Sequence, residues 1–260
     1  MAKLVVLLGG EEFTDATEAV SRMMLQLSIR RFSHDRKRLP NVVIVPIAAR
    51  ENTRRIVRAG SRQLSLWGAR VEHVMSADSD TADGAVHIAA LERADLICLP
   101  DGSPLDAVEA LQNTQALTLM GRAWASGALL MASGASAMAL CAQYWDGGVW
   151  EHGLDLLHNL AVLPHHETIA ARFSAERLRR DLPPETIIIG LDDATAIIID
   201  VPTPPSSASQ MQPADLATPA DAASLPVRVM GAGEVTVYRA DSQDVYTDGQ
   251  TFSLDPSVTG

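Results

Sequence analysis

The sequence has little of what stabilises small secreted domains. Only two of its 260 residues are cysteines, Cys98 and Cys141, and both lie in apolar stretches. They predict buried thiols in a reducing compartment, and hence a cytoplasmic protein, rather than a disulfide framework. Neither cysteine has the spacing of a metal ligand, and we expect neither a metal nor another cofactor.

Positive charge and long apolar runs are scarce as well. The chain has 21 Lys and Arg against 32 Asp and Glu, which gives a formal net charge of -11. Clustered basic residues are what bind nucleic acids and anionic membranes, so neither is expected as a partner. No apolar run approaches the roughly 18 residues of a membrane span. The first run, Leu4 to Leu8, ends at Gly9-Gly10, which is typical of a strand and a tight turn rather than a secretion signal.

Short apolar runs alternate with amphipathic stretches along most of the chain. The predicted strands are Leu4 to Leu8, Val42 to Val45, Leu96 to Leu99, Ala128 to Met131 and Ile187 to Ile189. The predicted helices are Thr14 to Phe32, Glu51 to Trp67, Ala85 to Ala90, Leu105 to Leu111, Ala116 to Ser126 and Ala135 to Ala142. Fully apolar strands separated by helices indicate a sheet covered on both faces. The predicted fold class is α/β, a three-layer, doubly wound and mostly parallel sheet with helices on both faces.

The composition divides this single predicted domain into three stretches. Residues 1–202 carry the α/β pattern, and residues 203–225 are rich in Pro, Ser and Ala, which predicts a flexible loop. In residues 226–260, Val227-Arg228-Val229 and Val235-Thr236-Val237 flank Gly231-Ala232-Gly233. This alternation predicts a C-terminal β-hairpin at the edge of the sheet that completes the same domain.

The segment from Gly127 to Met138 predicts a strand, a sharp turn of small residues and a helix. This order is the geometry of a nucleophile elbow. Function in a doubly wound sheet collects at the carboxyl ends of the strands, where this turn would lie. The same small residues would also suit a tight connection without chemistry.

The chain resembles the cyanophycinase and dipeptidase E family of serine peptidases, which has the class I glutamine amidotransferase-like fold. That family carries Gly-x-Ser-Ala-Gly-Ala at the end of this strand. Alignment without gaps from Gly127 puts the family serine at Gly134 and its following glycine at Ser136. Other similar segments keep the family's order: Val42 to Ala49, Trp67-Gly68, Ala94 to Leu99, Gly153 to Leu157, Leu163-Pro164-His165 and Gly190 to Ala196.

The resemblance implies a role for several residues of this sequence. His165 matches the catalytic histidine, and Glu151 or Asp146 would be its acidic partner. Backbone N–H groups of Ala135 and Gly102 would form the oxyanion hole. The family has Gly-Gly-Asn-Gln or Gly-Gly-Asp-Gln at the loop before the next helix, so Asp101, Ser103 and Pro104 depart from its pattern. His165 and His166 point apart as neighbours, which disfavours a metal pair.

Three hypotheses about function follow. The first is a catalytically impaired homologue that keeps its pocket and binds a small acidic peptide or amino-acid derivative, because Gly134 has no nucleophilic side chain. The second is an active serine hydrolase of small aspartyl peptides that uses Ser136 or Ser133 with His165 as base. The third is a non-catalytic scaffold or interaction protein. Members of the family often form dimers, so the resemblance also allows a homodimer.

Overall fold

A computed structural model of the chain describes residues 3–32, 38–49, 52–74, 84–201 and 225–254. Its strands are β1 Lys3–Leu8, β2 Asn41–Ile44, β3 Arg70–His73, β4 Leu96–Leu99, β5 Leu129–Ser133, β6 Gln143–Asp146, β7 Val149–His152, β8 Leu160–Pro164, β9 Ile187–Leu191, β10 Thr195–Val201, β11 Leu225–Gly231, β12 Val235–Tyr238, β13 Gln243–Tyr246 and β14 Thr251–Leu254. Its α-helices are α1 Glu18–Phe32, α2 Thr53–Leu66, α3 Ala85–Glu92, α4 Pro104–Leu111, α5 Gln115–Ala125, α6 Ala135–Ala139, α7 His166–Ala170 and α8 Ala175–Arg179.

The largest sheet has eight strands in the order β14-β11-β10-β1-β5-β4-β2-β3. Strands β1, β5, β4, β2 and β3 run parallel, whereas β10, β11 and β14 are antiparallel to their neighbours. The carboxyl ends of β1 and β5 lie together, with Leu8 opposite Ser133. The turns that follow these two strands therefore meet at one edge of the sheet.

The two faces of this sheet are covered by different layers. Along β1, Leu4, Val6 and Leu8 pack in a cluster with residues of α1 and α2. The alternate residues Val5 and Leu7 belong to the opposite core cluster, with residues of α3, α5 and a second sheet. This alternation follows from the pleat of a strand, which sends successive side chains to opposite faces. The predicted mostly parallel α/β sheet with helices on both faces is confirmed.

The C-terminal strands correct the predicted hairpin. Residues 227–229 and 235–237 do form strands, β11 and β12, but the two do not pair with each other. Strand β11 lies between β10 and β14 of the large sheet. Strand β12 pairs with β9 and β13 in a separate four-stranded sheet of order β13-β12-β9-β8. The chain thus crosses from one sheet to the other at Gly231, whose φ is 137°.

Other predictions have mixed outcomes. The predicted helix Thr14 to Phe32 is divided into a 3-10 turn, Asp15–Thr17, and α1. No predicted strand range covers β3, β6, β7, β8, β10, β13 or β14. The loop predicted for 203–225 falls outside the described residues except for residue 225.

Both cysteines are buried free thiols. Within the described ranges, no helix is long and apolar enough to cross a membrane.

Candidate active site

The turn between β5 and α6 has the conformation of an elbow. Gly134 has φ 53° and ψ −124°, a backbone region that residues with a side chain rarely adopt. Its N–H donates to the Leu8 carbonyl at 3.0 Å, which fixes the turn against the end of β1. The small-residue segment therefore forms the predicted strand, turn and helix.

The Asp101 carboxylate lies directly beside Gly134. A Cβ atom built on Gly134 would lie 2.0 Å from Asp101 Oδ1, so this arrangement has no room for a side chain at residue 134. The same oxygen accepts hydrogen bonds from the N–H of Ala135 at 2.6 Å and of Gly102 at 2.7 Å. These are the two amides that the resemblance assigns to the oxyanion hole. They do converge, and the carboxylate of Asp101 occupies the point where they meet.

His165 connects this carboxylate to a second one. Its Nε2 lies 3.3 Å from Asp101 Oδ2, and its Nδ1 lies 2.6 Å from Asp193 Oδ1. His165 follows β8 in a left-handed conformation with φ 50°, and its N–H donates to the Gly9 carbonyl. Gly10 passes so close that a Cβ there would lie 2.6 Å from both the His165 ring and Asp193. The side chains thus form a row of carboxylate, imidazole and carboxylate.

Glu12 adds a third carboxyl group to the same place. Its Oε1 accepts the Asp101 N–H at 3.2 Å, and its Oε2 accepts the Ser133 hydroxyl at 2.7 Å. Burial raises the pKa of Glu12 above its usual range, although these hydrogen bonds oppose that effect. Burial therefore favours the protonated form of Glu12.

Asp101 and His165 shift each other's pKa in opposite directions. Burial alone would raise the pKa of Asp101, but hydrogen bonds from His165, Ala135 and Gly102 lower it below its usual value. The hydrogen bond to Asp101 is the main reason that the pKa of His165 rises to about 9, and burial opposes it. At neutral pH the resting pair is therefore a carboxylate beside an imidazolium.

The serines proposed as substitute nucleophiles donate their hydroxyl hydrogens to other groups of the protein. Ser136 is buried, and its hydroxyl donates to the Pro100 carbonyl at 2.5 Å. Ser133 is also buried and donates to Glu12. Ser103 caps α4, because its Oγ accepts the Asp106 N–H at 3.3 Å. The hydroxyls of Ser136 and Ser133 are therefore both buried and hydrogen-bonded within the protein.

The acidic partner chosen for His165 is also corrected. Glu151 lies on β7 opposite Tyr144 of β6 and is exposed. Asp146 is the last residue of β6 and is also exposed. The carboxylate that orients His165 is Asp193, from the turn between β9 and β10. Neither Asp193 nor Glu12 was among the catalytic residues predicted from the sequence. Both follow central strands of a sheet at its carboxyl edge, and that placement was the available signal.

His166 has a structural role. It is buried, and its Nε2 lies 2.7 Å from the Tyr238 hydroxyl. Burial lowers the pKa of His166, although Asp192 opposes the shift. Among the residues that the structure describes, no group of three or more His, Cys, Asp or Glu side chains could hold a metal ion.

A cavity of about 980 Å³ opens beside Asp101 and His165. Four of its lining residues carry carboxyl groups, namely Glu11, Glu12, Asp101 and Asp106, and Arg55 of α2 supplies a cation. The remaining lining residues are Phe13, Thr14, Ala48, Ala49, Asn52, Ile56, Ala59, Gly102, Ser103 and His165. The catalytic candidates thus face a space large enough for a small organic molecule.

Two solved structures share this arrangement of sheets and helices. A peptidase from an acI-B1 Actinobacterium superposes with a TM-score of 0.75 at 20% identity, over 97% of this chain and 97% of that one. A putative peptidase E protein from Listeria monocytogenes EGD-e gives a TM-score of 0.52 at 18% identity, over 77% of this chain and 95% of that one. At such identities the likeness establishes the fold alone, which is the α/β fold of peptidase E-type proteins.

The family is established by the sequence itself. The model of peptidase family S51 matches residues 5–202. The chain therefore belongs to peptidase family S51, a family of serine-type peptidases. A comparison with curated proteins gives no significant match.

Proposed function

We propose that this chain is an S51 family member that does not cleave peptides through an acyl-serine intermediate and that uses its cavity to bind a small amino-acid derivative. One observation carries the proposal. The Asp101 carboxylate fills the space beside Gly134 and takes the hydrogen bonds of Ala135 and Gly102. Its two buried free thiols fit a reducing compartment, and we place the protein in the cytoplasm.

Peptide hydrolysis by acyl transfer needs a nucleophile and a place for the oxyanion. Gly134 supplies no hydroxyl, and the hydroxyls of Ser133 and Ser136 are buried and bonded. The amides that would stabilise a tetrahedral oxyanion already hold a carboxylate oxygen. Loss of either component typically slows such a reaction by two orders of magnitude or more.

The lining of the cavity favours a zwitterion. The carboxyl groups attract an ammonium group, and Arg55 offers a guanidinium for a ligand carboxylate. An amino-acid derivative carries both groups, whereas an acidic peptide brings additional negative charge toward four carboxyl groups. Of the two ligand classes suggested by the sequence, we therefore propose the amino-acid derivative.

The test compares labelling by a fluorophosphonate and hydrolysis of aspartyl dipeptides for four forms of the protein. The native chain, Gly134→Ser and Asp101→Gly are expected to be silent, because each lacks a free hydroxyl or an empty oxyanion hole. Combining Gly134→Ser with Asp101→Gly supplies both, and we expect this variant to gain labelling and hydrolysis. Hydrolysis by the native chain that Ser136→Ala abolishes would contradict the proposal.

Ligand binding is tested in the same preparation by thermal unfolding with a panel of amino-acid derivatives. A ligand at about 100 times its Kd stabilises the folded state by about 2.7 kcal/mol. We expect Arg55→Gln to reduce this shift for ligands with a free carboxylate and to leave it unchanged for their amides. Arg58→Gln is the matched control, because Arg58 is on the same helix, is exposed and does not line the cavity. No shift with any member of the panel would contradict this half of the proposal.

A further inference from the structure

The amides of Ala135 and Gly102 surround a carboxyl group of the protein itself. In an acyl-transfer enzyme such amides stabilise the oxygen of a substrate carbonyl that becomes tetrahedral. Here they bind Asp101 Oδ1, at 2.6 and 2.7 Å. The carbon whose oxygen these amides hold is therefore Cγ of Asp101.

The second carboxylate oxygen is directed differently. Asp101 Oδ2 lies 3.3 Å from His165 Nε2, and Asp193 orients the far side of the imidazole. Asp101 is only partly buried, with 30% of its side chain exposed, and it lines the cavity. One oxygen is thus held by backbone amides and the other lies beside a histidine, in a residue that lines the cavity.

We propose that Asp101 is a carboxylate nucleophile that opens small epoxides, forming an alkyl ester on Oδ2 that water then hydrolyses with His165 as base. Carboxylates are established covalent nucleophiles in other enzymes. The proposal rests on the first half of the proposed function, namely the absence of acyl-serine chemistry, and does not require the amino-acid ligand.

The first step is a displacement at carbon. A lone pair of Asp101 Oδ2 forms a bond to a ring carbon of the epoxide, and the bond between that carbon and the ring oxygen breaks. The ring oxygen takes the proton of the Glu12 carboxyl group, which lines the same cavity. The products are the Asp101 ester, which carries a new hydroxyl group, and the Glu12 carboxylate.

The second step is hydrolysis of this ester. His165 Nε2 takes a proton from water while the water oxygen bonds to Cγ of Asp101, and the carbonyl electron pair moves to Oδ1. The amides of Ala135 and Gly102 stabilise that oxyanion. The pair then returns, the bond between Cγ and Oδ2 breaks, and His165 protonates the leaving alkoxide. The remaining carboxyl proton passes to Glu12, so epoxide and water become a vicinal diol with no other reactant.

The change in charge at Asp101 during the first step favours the second step. Asp101 is the main cause of the raised pKa of His165. Esterification removes the Asp101 charge, so the pKa of His165 falls and its imidazolium releases a proton to the solvent, which leaves the neutral imidazole needed as a base. His165 takes up a proton from the solvent again when hydrolysis restores the Asp101 carboxylate. Burial, which raises the pKa of Glu12, likewise favours the protonated form that this step uses.

Other electrophiles fit the site less well. A peptide or ester substrate would need an oxyanion hole, and Asp101 fills it. A phosphoryl group would bring negative charge to a cavity lined by Glu11, Glu12 and Asp106. An epoxide is neutral, needs no oxyanion site of its own and has a leaving oxygen that accepts a proton.

The test follows oxygen-18 from labelled water in a single turnover with enzyme in excess. The probes are 4-nitrophenyl glycidyl ether, styrene oxide and glycidol, and the readout is mass spectrometry of the diol and of the peptide that contains Asp101. Because water attacks Cγ, the label is expected on Asp101 and not on the diol. In His165→Asn the ester should accumulate, as an adduct with the mass of the probe on Asp101. Asparagine is chosen because it tolerates the left-handed backbone at residue 165.

The variants separate this proposal from simple alkylation. Asp101→Asn should lose diol formation by about a thousandfold or more and give no adduct. Asp146→Asn, which removes an exposed carboxylate outside the cavity, should behave like the native chain. Thermal unfolding of each variant confirms that it is folded.

Two results would overturn the inference. One is the absence of diol and of an Asp101 adduct with all three probes. The other is oxygen-18 in the diol rather than in Asp101, which would place water attack on the substrate carbon. Neither result concerns serine labelling, so failure here is distinct from failure of the proposed function.

Discussion

Asp101 and Gly134 form a complementary pair. The carboxylate can reach the amide of Ala135 only because residue 134 has no side chain. In the sequence these are two separate departures from a family pattern, 33 positions apart. In the structure the two are linked, because the absence of a side chain at residue 134 leaves the space that the Asp101 carboxylate fills. A carboxylate of the chain itself therefore lies beside the turn, at the point where the two amides converge.

The charge state of His165 can be measured directly. We expect its imidazole to titrate at about pH 9 in the native chain and Asp101→Asn to return the pKa toward the ordinary value of about 6.5. Because the pKa is raised on folding, the ion pair stabilises the protein fully below pH 6.5 and is lost as the pH rises toward 9. Long-range ¹H–¹⁵N NMR of the imidazole nitrogens gives the titration.

His166 is the internal control for that titration. It is buried against Tyr238, and its pKa is lowered rather than raised. The Asp101→Asn change should leave its signals nearly unchanged. A native His165 that titrates near pH 6.5 would show that the Asp101 contact does not exist in solution.

The elements around the site show what sequence patterns could predict. The apolar runs and the small residues after β5 predicted the strand, elbow and helix, because those features depend on neighbours along the chain. The partner of His165 depends on which turns meet in space. Glu151 was chosen for its closeness in sequence, whereas Asp193 comes from the turn after β9, whose pairing with β8 brings it to the histidine. Local pattern carries no information about that meeting.

A partly buried ion pair lies at the opposite edge of the sheet, where β2 and β4 begin. Asp95 precedes β4, and its oxygens accept hydrogen bonds from the Arg38 guanidinium at 2.7 and 2.8 Å. It also accepts the N–H of Asn41, the first residue of β2, at 2.8 Å. The Asp95 side chain is 4% exposed and that of Arg38 is 49% exposed. The carboxylate thus aligns the starts of two adjacent strands.

Removing this carboxylate should weaken the fold without affecting the chemistry. We expect Asp95→Ala to lower the free energy of unfolding by about 2 kcal/mol, since it leaves a backbone donor and a guanidinium without their acceptor. Urea denaturation measures the change. Asp200→Ala, at an exposed position on β10, is the control and should change stability by less than about 0.5 kcal/mol. Equal effects of the two changes would contradict this role for Asp95.

At the scale of the molecule, the C-terminal segment joins the two sheets. Strand β11 extends the large sheet beside β10, and β12 extends the smaller sheet beside β9. The sequence predicted both strands from their alternation but paired them with each other, because only a short glycine-containing link separates them. Each strand instead buries its apolar face against the shared core, and that preference depends on surfaces that the local pattern does not contain.

This role predicts that the chain cannot fold without its last strands. Val227, Val229, Val235 and Val237 are each at most 1% exposed, and all four belong to the core between the sheets. Each contributes about 1.5 kcal/mol by burial, and their removal would also uncover the edges of β9 and β10. We expect a chain that ends at Val201 to lose cooperative thermal unfolding and to bind a hydrophobic dye.

The control for that truncation keeps the strands and shortens the connection before them. Ile199 pairs with Val227 in an antiparallel register, so the end of β10 and the start of β11 are neighbours. A short Gly-Ser linker can therefore replace residues 204–222 without moving either strand. This variant should unfold cooperatively, at nearly the native temperature. If the truncated chain unfolded in the same way, the last strands would be an addition to the core rather than part of it.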